Sequence, residues 1–182
     1  PVSARYLSAG DTAYVEMAEA AGLQHRLPGF SAANTTTFGV GQLIGEALNA
    51  GHRRIVLTLG GSCTTDAGCG MAAALGVRFT APNGRHFIPT GASLGAIRHI
   101  ALNPFFLQSG VRIEALCDVT NPLCGPNGCS RVFGPQKGAT TDMIETMEAG
   151  MQHLASIFER SKGPKLADMP LSLIHISEPT RP

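Results

Sequence analysis

The chain has 182 residues, 43% of them hydrophobic and 15% charged, which suits one domain with a sizeable core and excludes a disordered composition. Fourteen basic against thirteen acidic residues leave a net charge of +1, with no basic run to follow a nucleic-acid backbone, so no nucleic acid is expected as a partner. No apolar run approaches the roughly eighteen residues of a membrane span, and Pro1-Val2-Ser3-Ala4-Arg5 is no signal peptide; no membrane is expected, and the cytoplasm is the expected location.

The chain opens without an initiator methionine and enters core-like sequence almost at once, which suggests that Pro1 is not the natural start. Thr12 to Met17 reads as a short strand leading into a helix at Ala18 to Ala21, with Gly22 as its stop, and Gln24 to Ala33 as loop. Asn34-Thr-Thr-Thr37 offers capping residues for a helix through about Asn49, whose Val40, Leu43, Ile44, Ala47 and Leu48 recur at helical spacing. Gly51 falls where a helix C-terminus wants a left-handed residue.

Arg54 to Leu59 is the next strand, apolar enough to lie inside a parallel sheet. It runs into Gly60-Gly61-Ser62 and then, through small residues, into a helix from about Gly70 to Leu75. A strand that hands over to a helix through glycine suits an anion, because the first N–H groups of a helix lack internal partners and the helix dipole is positive there. Gly60 and Gly61 allow close approach, Ser62, Thr64 and Thr65 add hydroxyls, and Asp66 adds a carboxylate able to hold magnesium or orient a hydroxyl. The same turn also serves plain packing in many α/β domains. No Gly-Lys-Ser/Thr follows and Gly-x-Gly-x-x-Gly is absent, which disfavours a dinucleotide-binding oxidoreductase.

After a stop at Gly76, Val77 to Thr80 is a brief strand, with a turn at Pro82-Asn83-Gly84. Arg85 to Ser109 is broken by Gly91, Gly95 and Pro104 and reads as loops with a strand fragment at about Ile97 to Ala101. Val111 to Leu116 is a strand, and Asp118 stands at its exit, where open α/β sheets gather ligand groups. A glycine- and proline-rich loop follows to Gly128, and Gln136 and Lys137 sit on a second tight turn ending at Gly138. Thr140 caps the longest helix, about Thr141 to Arg160, whose stripe of Ile144, Met147, Met151, Leu154, Ala155 and Phe158 reads as core. Five cysteines, at 63, 69, 117, 124 and 129, form no Cys-x-x-Cys pair and read as reduced thiols, Cys63, Cys69 and Cys117 as small core residues.

Four segments resemble the bacterial glycerate kinase family that acts on D-glycerate: Thr35 to Ile44, Gly60 to Met71, Cys117 to Leu123 and Gly125 to Ala139. The family's usual Gly-Gly-Ser-Ala-Thr-Asn-Asp-Gly-Gly-Ala-Gly-Met has Asn where this chain has Thr65 and Gly where it has Ala67. These are a lost amide and a backbone position suited to positive φ.

The resemblance implies an α/β fold with a parallel or mixed sheet and flanking helices, part of a two-lobed enzyme with substrates in the cleft. It implies transfer of the γ-phosphoryl group of ATP to D-glycerate, with Mg2+, and 2-phosphoglycerate as the favoured product. Gly60, Gly61 and Ser62 would hold an anion. Asp66 and Asp118 would be metal ligand or hydroxyl-orienting base, and Asn121 and Lys137 would meet substrate or phosphate, with Thr64 and Gln136 in the binding set and Lys137, Asp66 and Asp118 in the catalytic one. The family's opening and later glycine-rich segments have no counterpart, so residues 1–170 are expected to be an internal part of the enzyme. Leu171 to Pro182 reads as a translated sequencing adapter. The other expectation is an inactive kinase remnant that at most binds an anion.

Overall fold

The structure, a computed structural model, describes residues 1–104 and 110–160. Expectations for Phe105 to Ser109, for the helix end at Ser161 to Pro164 and for the adapter reading of Leu171 to Pro182 lie outside them.

Strands β1 (Leu7–Ala9), β2 (Thr12–Glu16), β3 (Arg54–Thr58) and β7 (Arg112–Leu116) form one sheet in the order β1-β2-β3-β7. β1 runs antiparallel to β2, whereas β2, β3 and β7 are mutually parallel, so the sheet is mixed. β3 is an inner strand, paired on both sides, and Ile55, Val56 and Leu57 are buried, as its unbroken apolar run predicts. Arg54 grips Glu114 across the β3–β7 pair through two hydrogen bonds of 2.9 and 2.8 Å.

Helix α1 (Met17–Ala21) follows β2 directly and α2 (Phe38–Asn49) precedes β3. Val40, Leu43, Ile44 and Ala47 of α2 close over Ala13 and Val15 of β2 and Ile55 and Leu57 of β3, which makes the first core. Ala50 ends α2 and Gly51 follows with φ +100°, as the C-terminal glycine predicts. Helix α3 (Cys69–Ala74) lies against α2.

A second, antiparallel sheet has the order β5-β4-β6, with β4 at Arg78–Thr80, β5 at His86–Phe87 and β6 at His99–Ala101. A 3-10 helix at Gly91–Ala96, capped by reciprocal Thr90 and Ser93 hydrogen bonds, lies between them in the stretch read as loop. The short helix α4 (Cys129–Phe133) and the 20-residue α5 (Thr141–Arg160) complete the described elements. Met151 and Leu154 of α5 pack with Phe79, Leu94, Ile97, Leu123 and Cys129 in a second core. Thr140 Oγ1 accepts the Met143 N–H at 3.4 Å, the cap that the sequence suggests. Among the described residues no helix is long and apolar enough to cross a membrane.

Candidate active site

β3 and β7 are in register with Thr58 opposite Leu116, so the chain leaves both strands at the same edge of the sheet. The Leu59 N–H still donates to Leu116 O at 3.2 Å, and just beyond that bond the two chains diverge into Gly60 and Asp118. This is the carboxyl edge of the parallel strands, the place where such sheets gather ligand groups. Asp118 is exposed there, and its side chain makes no hydrogen bond among the described residues.

The glycine junction is held from the side. Gly61 has φ +69°, its carbonyl accepts from Leu23 N–H at 2.9 Å, and Cys63 N–H donates to Ala21 O at 2.8 Å. Ser62 is bridged to Gly22 between these bonds, so the segment Gly61 to Cys63 runs beside the end of α1 and is not free loop.

Lys137 reaches this junction from the far end of the described chain. It stands on a 3-10 turn, Pro135–Lys137, directly after α4, and its carbonyl accepts the Ala32 N–H at 3.1 Å. The ammonium donates to Ser62 Oγ at 3.1 Å and to Thr64 O at 2.6 Å. An ammonium has three donors, so one is left without a partner among the described residues. Burial lowers the Lys137 pKa below the ordinary lysine value, while the acidic groups of Cys129, Cys63 and Asp66 pull it back up.

Asp66 has a different surrounding. It is 1% exposed, and its carboxylate accepts from Thr37 N–H at 2.8 Å, Thr37 Oγ1 at 2.9 Å, Thr36 Oγ1 at 3.3 Å, Gly70 N–H at 3.1 Å and Gly68 N–H at 3.2 Å. Burial raises the Asp66 pKa, and the bonds from Thr37, Gly70 and Gly68 oppose that rise. The first N–H groups of α3, which the sequence offers to a ligand, are therefore taken by the chain's own aspartate. Thr37, expected as a side-chain cap of α2, makes no such cap; its hydroxyl donates to Asp66 and accepts from Met71 N–H at 2.8 Å, so it ties the starts of α2 and α3 together.

Of the remaining expected residues, Asn121 donates from Nδ2 to Asn127 O at 3.0 Å and closes its own loop, Gln136 is exposed beside Lys137, and Gly60 is exposed at the junction. Thr64 is buried and meets Lys137 through its carbonyl. Thr65 Oγ1 is buried without a partner among the described residues. Sequence reasoning missed Glu148, 3% exposed, whose Oε1 accepts from Gly125 N–H at 2.6 Å and Gln152 Nε2 at 3.1 Å and so fastens the Cys117–Gly128 loop to α5. The signal was available, since Glu148 falls within the apolar stripe of that helix. The five cysteines are free; Cys63, Cys69 and Cys129 are buried, burial raises each of their pKa values, and that fits core thiols better than nucleophiles.

In this α/β sheet a parallel strand thus ends in a hydroxyl-bearing turn that a half-buried lysine meets. The model of the glycerate kinase family matches residues 1–172, and the chain belongs to that family. It is 42% identical over 174 residues to a glycerate kinase of Bacillus subtilis (strain 168), covering 92% of this chain and 45% of that protein. It is 39% identical over 169 residues to the glycerate 2-kinase of Escherichia coli (strain K12), covering 88% of this chain and 43% of the other. A crystal structure from Salmonella typhimurium LT2, assigned as a glycerate kinase 2, superposes with a TM-score of 0.85 at 39% identity, over 93% of this chain and 46% of that one. The mixed α/β expectation agrees with that neighbour. The chain spans about half the length of the relatives it matches.

Proposed function

We propose that this chain carries the sheet edge at which a glycerate kinase moves the γ-phosphoryl group of ATP to a hydroxyl of D-glycerate. The observation that supports this most is the Lys137 ammonium seated between Ser62 Oγ and Thr64 O, in a chain of the glycerate kinase family. In this reaction the hydroxyl oxygen bonds to the γ-phosphorus, the bond to the ADP oxygen breaks and the hydroxyl proton is released. Little covalent work falls to the protein; positioning and charge do most of it.

Gly60, Gly61 and Ser62 would hold an oxyanion with the free donor of Lys137, and Thr64 would keep that lysine in place through its carbonyl. Asn121, on the loop after β7, and Gln136, on the Pro135–Lys137 turn, would meet the substrate. Magnesium binds through one or two carboxylates together with nucleotide phosphates, and among the described residues no group of three or more His, Cys, Asp or Glu gathers. Asp118, exposed at the strand exit, fits that one-carboxylate mode and could equally take the hydroxyl proton. When bound, the metal would screen charge on the phosphates. Asp66 does not fit as a ligand, because five donors already occupy its enclosed carboxylate. We assign it to positioning the junction. The name of the Escherichia coli relative supports 2-phosphoglycerate as product.

In the complete enzyme, Asp118→Asn and Lys137→Ala should each lower turnover by about two orders of magnitude or more, with circular dichroism unchanged. Near-normal turnover in both variants would remove these residues from the mechanism.

A further inference from the structure

Arg26, which the sequence places in an undistinguished loop, stands beside the lysine site. The Leu23–His25 3-10 turn that delivers it starts from the Gly22–Ser62 bridge, and the Arg26 N–H closes that turn on Leu23 O at 3.2 Å. The loop beyond is pinned at its other end by the bond from Ala32 N–H to Lys137 O and by Ser31 Oγ, which lies 3.4 Å from Met143 Sδ. The segment that carries Arg26 is thus held at its start against the Gly61–Ser62 turn and at its end against the Lys137 turn. At Gly138, with φ +79°, any Cβ would run into the Arg26 guanidinium.

That guanidinium is exposed and makes no hydrogen bond or ion pair among the described residues, unlike Arg54 with Glu114 and Arg131 with Glu145. It borders an open recess of about 490 Å³ between Gly138, Met143 and its own loop. The Cys63 thiol, next to Ser62, feels Arg26 and Lys137 together, since both cations oppose the rise that burial imposes on it. The Arg26 guanidinium thus stands against Gly138, the residue after Lys137, while the Lys137 ammonium reaches Ser62.

We propose that Arg26 is a second cation of this site and, with Lys137, grips a carboxylate or phosphate group over the Gly61–Ser62 turn. The proposal rests on the kinase reading for the identity of the oxyanion, not for the site itself. A planar guanidinium binds either group through two parallel N–H bonds, whereas a lysine acts as a point charge.

The test is steady-state kinetics of the complete enzyme as wild type, Arg26→Gln and Arg26→Lys, with KM for D-glycerate and for ATP measured separately, together with calorimetric titration of inorganic phosphate. Loss of a charge-assisted pair should raise one KM about tenfold or more while the other stays within about twofold. A rise for D-glycerate assigns the carboxylate, and a rise for ATP assigns a nucleotide phosphate. In either case Arg26→Lys should recover only part of the loss. Both KM values within about twofold of wild type, with phosphate binding unchanged, would overturn the proposal. A wild type that releases no ADP with D-glycerate would remove the kinase reading alone; phosphate binding weakened by Arg26→Gln would still support the two-cation site, and unweakened binding would overturn it.

Discussion

Ala67 has φ +52°, and among the described residues it is the non-glycine residue with positive φ. An L side chain in that region costs roughly 1–2 kcal/mol, because its Cβ crowds the following carbonyl. Glycine would lift that cost but give back about 0.4–1 kcal/mol through a freer unfolded chain. The balance favours glycine, so Ala67→Gly should stabilise the protein by roughly 0.5–1 kcal/mol and raise Tm by about 2 °C. An unchanged or lower Tm in thermal unfolding would contradict this. The need for positive φ here was legible in the sequence, from the glycine that the resembling family carries at this place. The enclosure of Asp66 was not, since its donors Thr36 and Thr37 lie about thirty residues earlier and were read as helix caps. A carboxylate beside glycines looks the same in sequence whether it faces a ligand or its own backbone.

Among the elements, long and periodic ones were legible and short ones were not. The apolar run of β3 and the stripe of α5 announce themselves, because burial on both faces or on one face dictates residue type. β5 spans two residues and α4 five, too few to show a period. The Thr90 and Ser93 pair before the 3-10 helix was a readable capping signal that the weak pattern around it masked. The contact of α2 with α3 depends on Gly41, where an added Cβ would stand 2.7 Å from Ala74 Cβ and 2.9 Å from Met71 Cα. Helix propensity alone would reward Gly41→Ala by up to about 1 kcal/mol. Overpacking against backbone costs about 1–3 kcal/mol, so the clash should win and Gly41→Ala should destabilise. Gly45, one turn on in the same helix with nothing within 4 Å of an added Cβ, is the control, and Gly45→Ala should stabilise. Chemical denaturation of both variants measures the difference; equal effects would mean that the α2–α3 contact yields freely.

At the scale of the molecule, the candidate site is assembled from segments that are remote in sequence. Lys137 meets Ser62 across 75 residues, and Ala32 bonds to the lysine's own carbonyl. The sequence could name Gly61, Ser62 and Lys137 separately, but only the packing of the loop after α1 against the turn after α4 brings them together. Parallel pairing of β3 with β7 does the same for Gly60 and Asp118, which leave one sheet edge side by side. The chain spans about half the length of its relatives, and the two-lobed cleft is a proposal for the complete enzyme. The central claim is that this sheet edge serves phosphoryl transfer to D-glycerate. Its most direct test is ADP release by the complete enzyme supplied with ATP, with and without D-glycerate. The account predicts ADP release that requires D-glycerate and matches phosphoglycerate formed one for one. ADP release indifferent to D-glycerate, or none at all, would contradict it.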